Sequence, residues 1–319
     1  MQRVVGRKLE LAIAALNGLV GDYLERNQNG LRTELSLVVA GEAVSLTGQS
    51  LAVAYPAASS RVAVLVHGLM CTEDIWQMPD GESYGSLLGR DLGLTPALIR
   101  YNSGLPIAEN GAHLSKLLAE LVRAWPTPVT ELILIGYSMG GLVVRAACHV
   151  AKLEAEPWLA LVRRAIYVGT PHLGAPLERA GRVLTRVMRA IPDPVTRLIA
   201  DLAELRSDGV KDLGDADLRH EDRARRRASL SLRDPLHPVP LLPGIQHYLA
   251  AASLSDDPRL MTIFGDVLVP VPSGTDGACK DGASIALPPS HVRLFPKMSH
   301  IAIAHHSDVY PAIRAWCEA

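Results

Sequence analysis

Residues 132–141 constrain the fold more than any other stretch of the chain. Leu132, Ile133, Leu134 and Ile135 form an apolar run that leads into Gly136, Tyr137, Ser138, Met139, Gly140 and Gly141. An uninterrupted apolar run of this length suits a strand buried on both faces. Leu142, Val143, Val144, Ala146 and Ala147 follow at once as an apolar helix. The turn between strand and helix must therefore be sharp. Gly136 and Gly140 flank Ser138 and leave no side chain to collide with either element. A serine in such a turn takes strained backbone angles and lifts its hydroxyl clear of the sheet. The Gly-x-Ser-x-Gly spacing is weak by itself and gains weight from the strand before it and the helix after it.

Further apolar runs repeat the pattern. Val62 to Val66 ends in His67-Gly68, Pro96 to Arg100 ends near Tyr101, Ala165 to Val168 ends in Gly169, Leu260 to Phe264 ends in Gly265, and Val292 to Phe295 is the last. Helical periodicity lies between them, in Ala112 to Trp125 and Gly141 to Leu153, and closes the chain at Ala312 to Trp316 with Ser307 or Asp308 as its cap. Leu35 to Val39 and Ala43 to Leu46, around Gly41, read as a hairpin. Strands alternating with helices predict an α/β fold with a mostly parallel central sheet flanked by helices. One interval breaks the alternation. No convincing buried strand is read between Pro171 and Pro258. Residues 176–250 are read as a helical cap inserted between two core segments, 31–175 and 251–319. Its Arg-rich stretch (Arg223, Arg225, Arg226, Arg227 and Arg233) reads as a solvated face, with a patch for anionic head groups as the sharper alternative.

Residues 1–30 form an N-terminal amphipathic helix, with Val5, Leu9, Ala12, Leu16, Leu19 and Tyr23 recurring at spacings of three and four. The expected role of that stripe is packing on the body of the protein; attachment to a lipid surface is the alternative. The basic-then-apolar order also suits a signal peptide, but Glu10 and Asn17 interrupt it and no small-residue cleavage pattern ends it. No run of about 18 apolar residues marks a membrane span.

Composition narrows the function classes. Lys and Arg total 32 against 33 Asp and Glu, which argues against a nucleic-acid partner bound through a global basic field. Cys71, Cys148, Cys279 and Cys317 stand alone without metal-ligand spacing, so no metal site is expected, and free thiols suit a cytoplasmic chain.

The candidate chemistry centres on Ser138 as a nucleophile. Such a serine needs donors where a tetrahedral oxyanion forms, and the backbone N–H groups of Met139 and Leu69 occupy the expected places. Gly68 permits close backbone approach, and His67, which precedes the serine at a strand end, orients that loop. His172, in Gly169-Thr170-Pro171-His172, shapes the pocket. Asp266 follows the Leu260 to Phe264 run and is the expected acid, with Asp276 as runner-up; Asp256 and Asp257 precede that run and so point to the other edge. His300, just past the last strand, is the expected base; His291, His305 and His306 are the less suitable late histidines.

The order Ser138, Asp266, His300 resembles that of the α/β-hydrolase fold. With His67-Gly68-Leu69, Gly136 to Gly141, Gly169 to His172, Gly265-Asp266, Val269-Pro270 and Ser299-His300, residues 62 to about 316 resemble lipase/esterase-type α/β-hydrolases, in the branch that includes GPI inositol-deacylase-like and bacterial triacylglycerol-lipase-like proteins. The resemblance implies a serine hydrolase of carboxylic esters that needs no cofactor or metal. A small-molecule or lipid ester would be its partner, with possible contact to a lipid surface. Val187, Met188, Ile191, Ile199 and Leu202 of the cap would line an acyl pocket. An acyltransferase sharing the acyl-enzyme, and a non-catalytic binding protein on the same fold, are the alternatives.

Overall fold

The computed structural model describes residues 2–172, 241–253, 277–278, 284–285 and 287–319, and the statements below concern these. Eight strands form one sheet: β1 (Ser36–Val39), β2 (Glu42–Val44), β3 (Arg61–Val66), β4 (Thr95–Arg100), β5 (Glu131–Tyr137), β6 (Val162–Val168), β7 (Gln246–Ala252) and β10 (Val292–Phe295). The short strands β8 (Gly277–Ala278) and β9 (Ser284–Ile285) pair separately. The sheet order is β2-β1-β4-β3-β5-β6-β7-β10. Strands β4, β3, β5, β6, β7 and β10 run parallel, and β1 runs antiparallel to β4 and to β2. The β1–β2 hairpin turns on Ala40 and Gly41, both at positive φ, as a two-residue turn matched to the strand twist requires.

Both faces of the sheet are covered, which explains the continuous apolar runs. On β3, Val62, Val64 and Val66 join a core with Leu114, Leu118, Leu142 and Val143 from α4 (Ile107–Ala124) and α5 (Met139–Leu153). Ala63 and Leu65 face the opposite core, with Leu88 from α3 (Tyr84–Leu92) and Ile313 and Trp316 from α6 (Tyr310–Glu318). Each fully buried Val or Leu is worth roughly 1.5–3 kcal/mol, so the central strands are the most strongly fixed part of the molecule. Helix α2 (Gly48–Ala54), capped by the Thr47 hydroxyl, adds Leu51 to the first core. Neither Ser307 nor Asp308 caps α6; Val309 holds that place, without a side-chain bond.

Two expectations are corrected here. Strand β7 lies between Pro171 and Pro258, where no strand was expected, and it takes residues 246–250 out of the cap and into the core sheet. Its sequence, Gln246 to Ala252, has no β-branched residue and ends in three alanines, so propensity gives no signal. Burial between β6 and β10 decides instead. Helix α1 (Gln2–Arg26) is longer than the apolar stripe, kinks at Val20, and packs through only part of that stripe, where Leu19 joins the core. Leu9 and Tyr23 are exposed, whereas Ala15, Asn17, Leu19 and Leu24 are buried. Small residues bring the helix close enough to bury its backbone. The remainder of the expected cap and the Leu260 to Phe264 run lie outside the described residues. Among the described residues no helix is long and apolar enough to cross a membrane.

Candidate active site

The chain runs from β3 outward to β4 on one side, then returns to β5 on the other side of β3. Connections after β3 and β5 therefore diverge, which opens a crevice at the carboxyl ends of these two strands. Ser138 ends β5 at that crevice with φ 51° and ψ −123°, well outside the ordinary regions. Such a conformation costs about 1–3 kcal/mol and persists only where its surroundings enforce it. The Ser138 N–H donates to Val168 O at 2.8 Å, and Gly141 N–H donates to Ser138 O at 3.1 Å. A Cβ at Gly136 would lie 2.5 Å from Gly141 Cα, so strand and helix touch backbone to backbone.

His300 Nε2 lies 2.9 Å from Ser138 Oγ, and both residues are buried. His300 sits in the loop after β10, and two neighbours fix it. Tyr137 Oη–H donates to His300 O at 3.1 Å, and a Cβ at Gly169 would come within 3.2 Å of His300 Cε1. The other late histidines are engaged elsewhere. His305 Nδ1 contacts Ile75 O, His306 pairs with Asp308, and His291 Nδ1 contacts His247 O.

His67 is fully buried and stacks on Tyr101 at 4.4 Å. Its Nδ1 lies 2.8 Å from Gly68 O and its Nε2 accepts from Tyr101 N–H, so a single neutral tautomer satisfies both contacts. Burial pushes its pKa down to about 4. His67 thus stays uncharged and ties the end of β3 to the end of β4. The following turn, Gly68 to Cys71, closes with Cys71 N–H donating to Gly68 O at 3.3 Å. Met70 N–H donates to Ser103 Oγ at 2.9 Å, which engages it away from the crevice. Met139 is the first residue of α5, where N–H groups have no intrahelical acceptor and the helix dipole is positive.

His172 does not join the Ser138–His300 pair. Its Nδ1 lies 3.0 Å from an Arg145 guanidinium nitrogen, and its ring meets Tyr167 edge-on at 4.7 Å. Burial first, and then the Arg145 charge, hold its pKa well below the usual range for histidine. Sequence reading missed Arg145, Tyr137 and Ser103. Tyr137 had a signal of a kind: alternation along β5 puts it on the opposite face from Gly136, toward the core that holds Trp76 and Ile303.

Asp266 and Asp276 lie outside the described residues. Asp256 and Asp257 also lie outside the described residues. Among the described residues no group of three or more His, Cys, Asp or Glu could hold a metal ion. Cys71, Cys148 and Cys317 are free thiols, and burial pushes each up to about 12.

No protein-family model and no curated protein matches the chain. Among solved structures, the mature form of a Bacillus licheniformis lipase superposes with a TM-score of 0.51 at 19% identity, over 80% of this chain and 91% of that one. This chain has the α/β-hydrolase fold. An α/β-hydrolase fold protein from Chitinophaga pinensis superposes at 12% identity and a TM-score of 0.46, over 82% of this chain and 90% of that one. A lipase-esterase related protein from Clostridium acetobutylicum does so at 14% identity and 0.44, over 89% and 100%. Within this fold, the Ser138–His300 contact lies where the two diverging connections and the loop after the last strand of the sheet meet.

Proposed function

We propose that the protein is a serine hydrolase of carboxylic esters that works through an acyl-enzyme. The observation that carries this reading is the 2.9 Å contact between His300 Nε2 and the hydroxyl of a serine held at positive φ. For Nε2 to accept the Ser138 proton, the ring proton must sit on Nδ1. His300 then takes the proton as Ser138 Oγ attacks the ester carbonyl, and the leaving alkoxide departs with that proton. The backbone N–H groups of Met139 and Leu69 receive the oxyanion. Water activated by His300 releases the acid and restores Ser138. In this reading Gly68, Gly136 and Gly140 allow the close approaches, and His67 and His172 support the surrounding loops without moving protons. The acyl chain is assigned to Val187, Met188, Ile191, Ile199 and Leu202.

A carboxylate opposite His300 Nδ1 orients the ring and stabilises its cationic form. Asp266 is our choice, for the burial expected from Val267 to Pro270 after it. The expected result is a loss of roughly 10³–10⁴-fold in kcat for Asp266→Asn. Asp256→Asn, Asp257→Asn and Asp276→Asn should stay within a few-fold of wild type. Kinetics on a chromogenic ester read all four. A large loss at another member of the series moves the assignment there; no large loss at any of them removes the carboxylate from the mechanism.

A further inference from the structure

We infer that helix α1 is a clamp on the loop that carries Leu69, and that Gly18 is the positioning residue through which it acts. The catalytic consequence rests on the serine-hydrolase reading; the clamp itself does not.

Met70 has φ 59°, in the left-handed region that L residues adopt reluctantly. It belongs to the 68–71 turn, one residue after Leu69. A left-handed residue of this kind persists only where its surroundings over-determine it. Two restraints act on Met70. Its N–H is bonded to Ser103 Oγ at 2.9 Å. Gly18 of α1 stands against its backbone, where a Cβ would lie 3.2 Å from both Met70 N and Met70 Cα and 2.3 Å from Met70 Cγ.

The first restraint also leads back to α1. Ser103 sits between Asn102 and Gly104, and both are fastened to the helix. Asn102 Nδ2–H donates to Gly21 O at 3.0 Å, and a Cβ at Gly104 would lie 2.0 Å from Asn17 O. Asn17 is itself held, donating to Ile13 O and Leu31 O at 2.9 Å and 2.8 Å. Both groups that hold Met70 in its left-handed state are thus anchored on one helix. That helix is glycine-bearing where the approach is closest, although glycine lowers helix stability. Stability alone would favour alanine at these helical positions, so close approach to the loops accounts for the glycine.

A donor to an oxyanion acts only within hydrogen-bond reach of where the charge develops. Releasing Met70 frees the Leu69–Met70 peptide to rotate, and with it the φ and ψ of Leu69 that aim the adjoining Gly68–Leu69 peptide, which carries the Leu69 N–H. Ground-state binding of an ester depends little on that donor, so the expected loss falls on kcat and spares KM.

The test compares Gly18→Ala with Gly6→Ala. Gly6 is on the same helix and has no atom within 4 Å of an added Cβ, so it controls for the substitution itself. Amide hydrogen exchange of a peptide covering residues 67–72 reads the clamp directly. Exchange there should rise at least tenfold in Gly18→Ala and stay at the wild-type rate in Gly6→Ala. With a chromogenic ester, kcat should fall at least tenfold in Gly18→Ala while KM stays within twofold. Met70→Gly combined with Gly18→Ala should recover most of the lost kcat, because glycine takes positive φ freely and removes the opposing side chain. Should Gly18→Ala fail to fold, Ser103→Ala releases the same turn without adding atoms and should give the same two changes. Wild-type exchange at 67–72 in a folded Gly18→Ala or Ser103→Ala variant overturns the clamp, as does a loss confined to KM. A wild-type protein that hydrolyses no ester would refute the serine-hydrolase reading, and the exchange measurement would still decide the clamp.

Discussion

The His300→Ala variant is expected to lose ester hydrolysis by roughly 10⁴–10⁶-fold while remaining folded. Ser138 Oγ has one titratable neighbour at hydrogen-bond distance among the described residues, and that is His300 Nε2 at 2.9 Å. His305 and His306 follow within six residues, but each is bound to another part of the molecule and neither can take over. The fold should tolerate the change. His300 lies in a loop past β10, and truncation removes its ring packing against Tyr137, at the end of β5, and Gly169, while the strand pairing stays in place. Steady-state kinetics and a thermal melt check the two halves together. Added imidazole should restore part of the rate, since the vacated space lies beside Ser138. A folded variant with near wild-type activity would show that His300 is not the base.

Gly140→Ala should destabilise the protein by about 3 kcal/mol or more. The new Cβ would stand 2.3 Å from the carbonyl oxygens of both Val66 and His67. Neither obstacle is a movable side chain. Both are backbone atoms at the end of β3, which is hydrogen-bonded on both edges, to β4 and to β5. Relief requires the start of α5 to move away from β3, and that movement opens the turn holding Ser138 at positive φ. Stability and activity should therefore fall together. Denaturant unfolding of the variant measures the first; a free-energy change below about 1 kcal/mol would mean that α5 and β3 are less closely packed than described.

How much of this was legible in the sequence depends on the kind of signal each element carries. Val62 to Val66, Leu132 to Ile135 and Ala165 to Val168 announce buried strands because apolar residues fill both faces. Ser138 stands out because the glycines around it answer a steric demand set by its immediate neighbours. Strand β7 was illegible. Tyr248 and Leu249 among alanines satisfy no strand pattern, and only the space between β6 and β10 makes them a strand. The packed face of α1 was illegible for a similar reason. Of the stripe of apolar residues expected to pack, Leu19 is buried but Leu9 and Tyr23 are exposed, and the closest approaches are made by Gly18 to Met70 and by Gly21 to Asn102. Small residues signal a contact only when what lies opposite is known. The Tyr137 bond to the His300 carbonyl spans 163 residues and has no local trace at all.

The central claim, that Ser138 is an activated nucleophile, is tested most directly by reaction with a fluorophosphonate probe read by intact mass. The expected result is one adduct on the wild-type protein and none on Ser138→Ala. No adduct on folded wild-type protein, or equal labelling of the two, would contradict it.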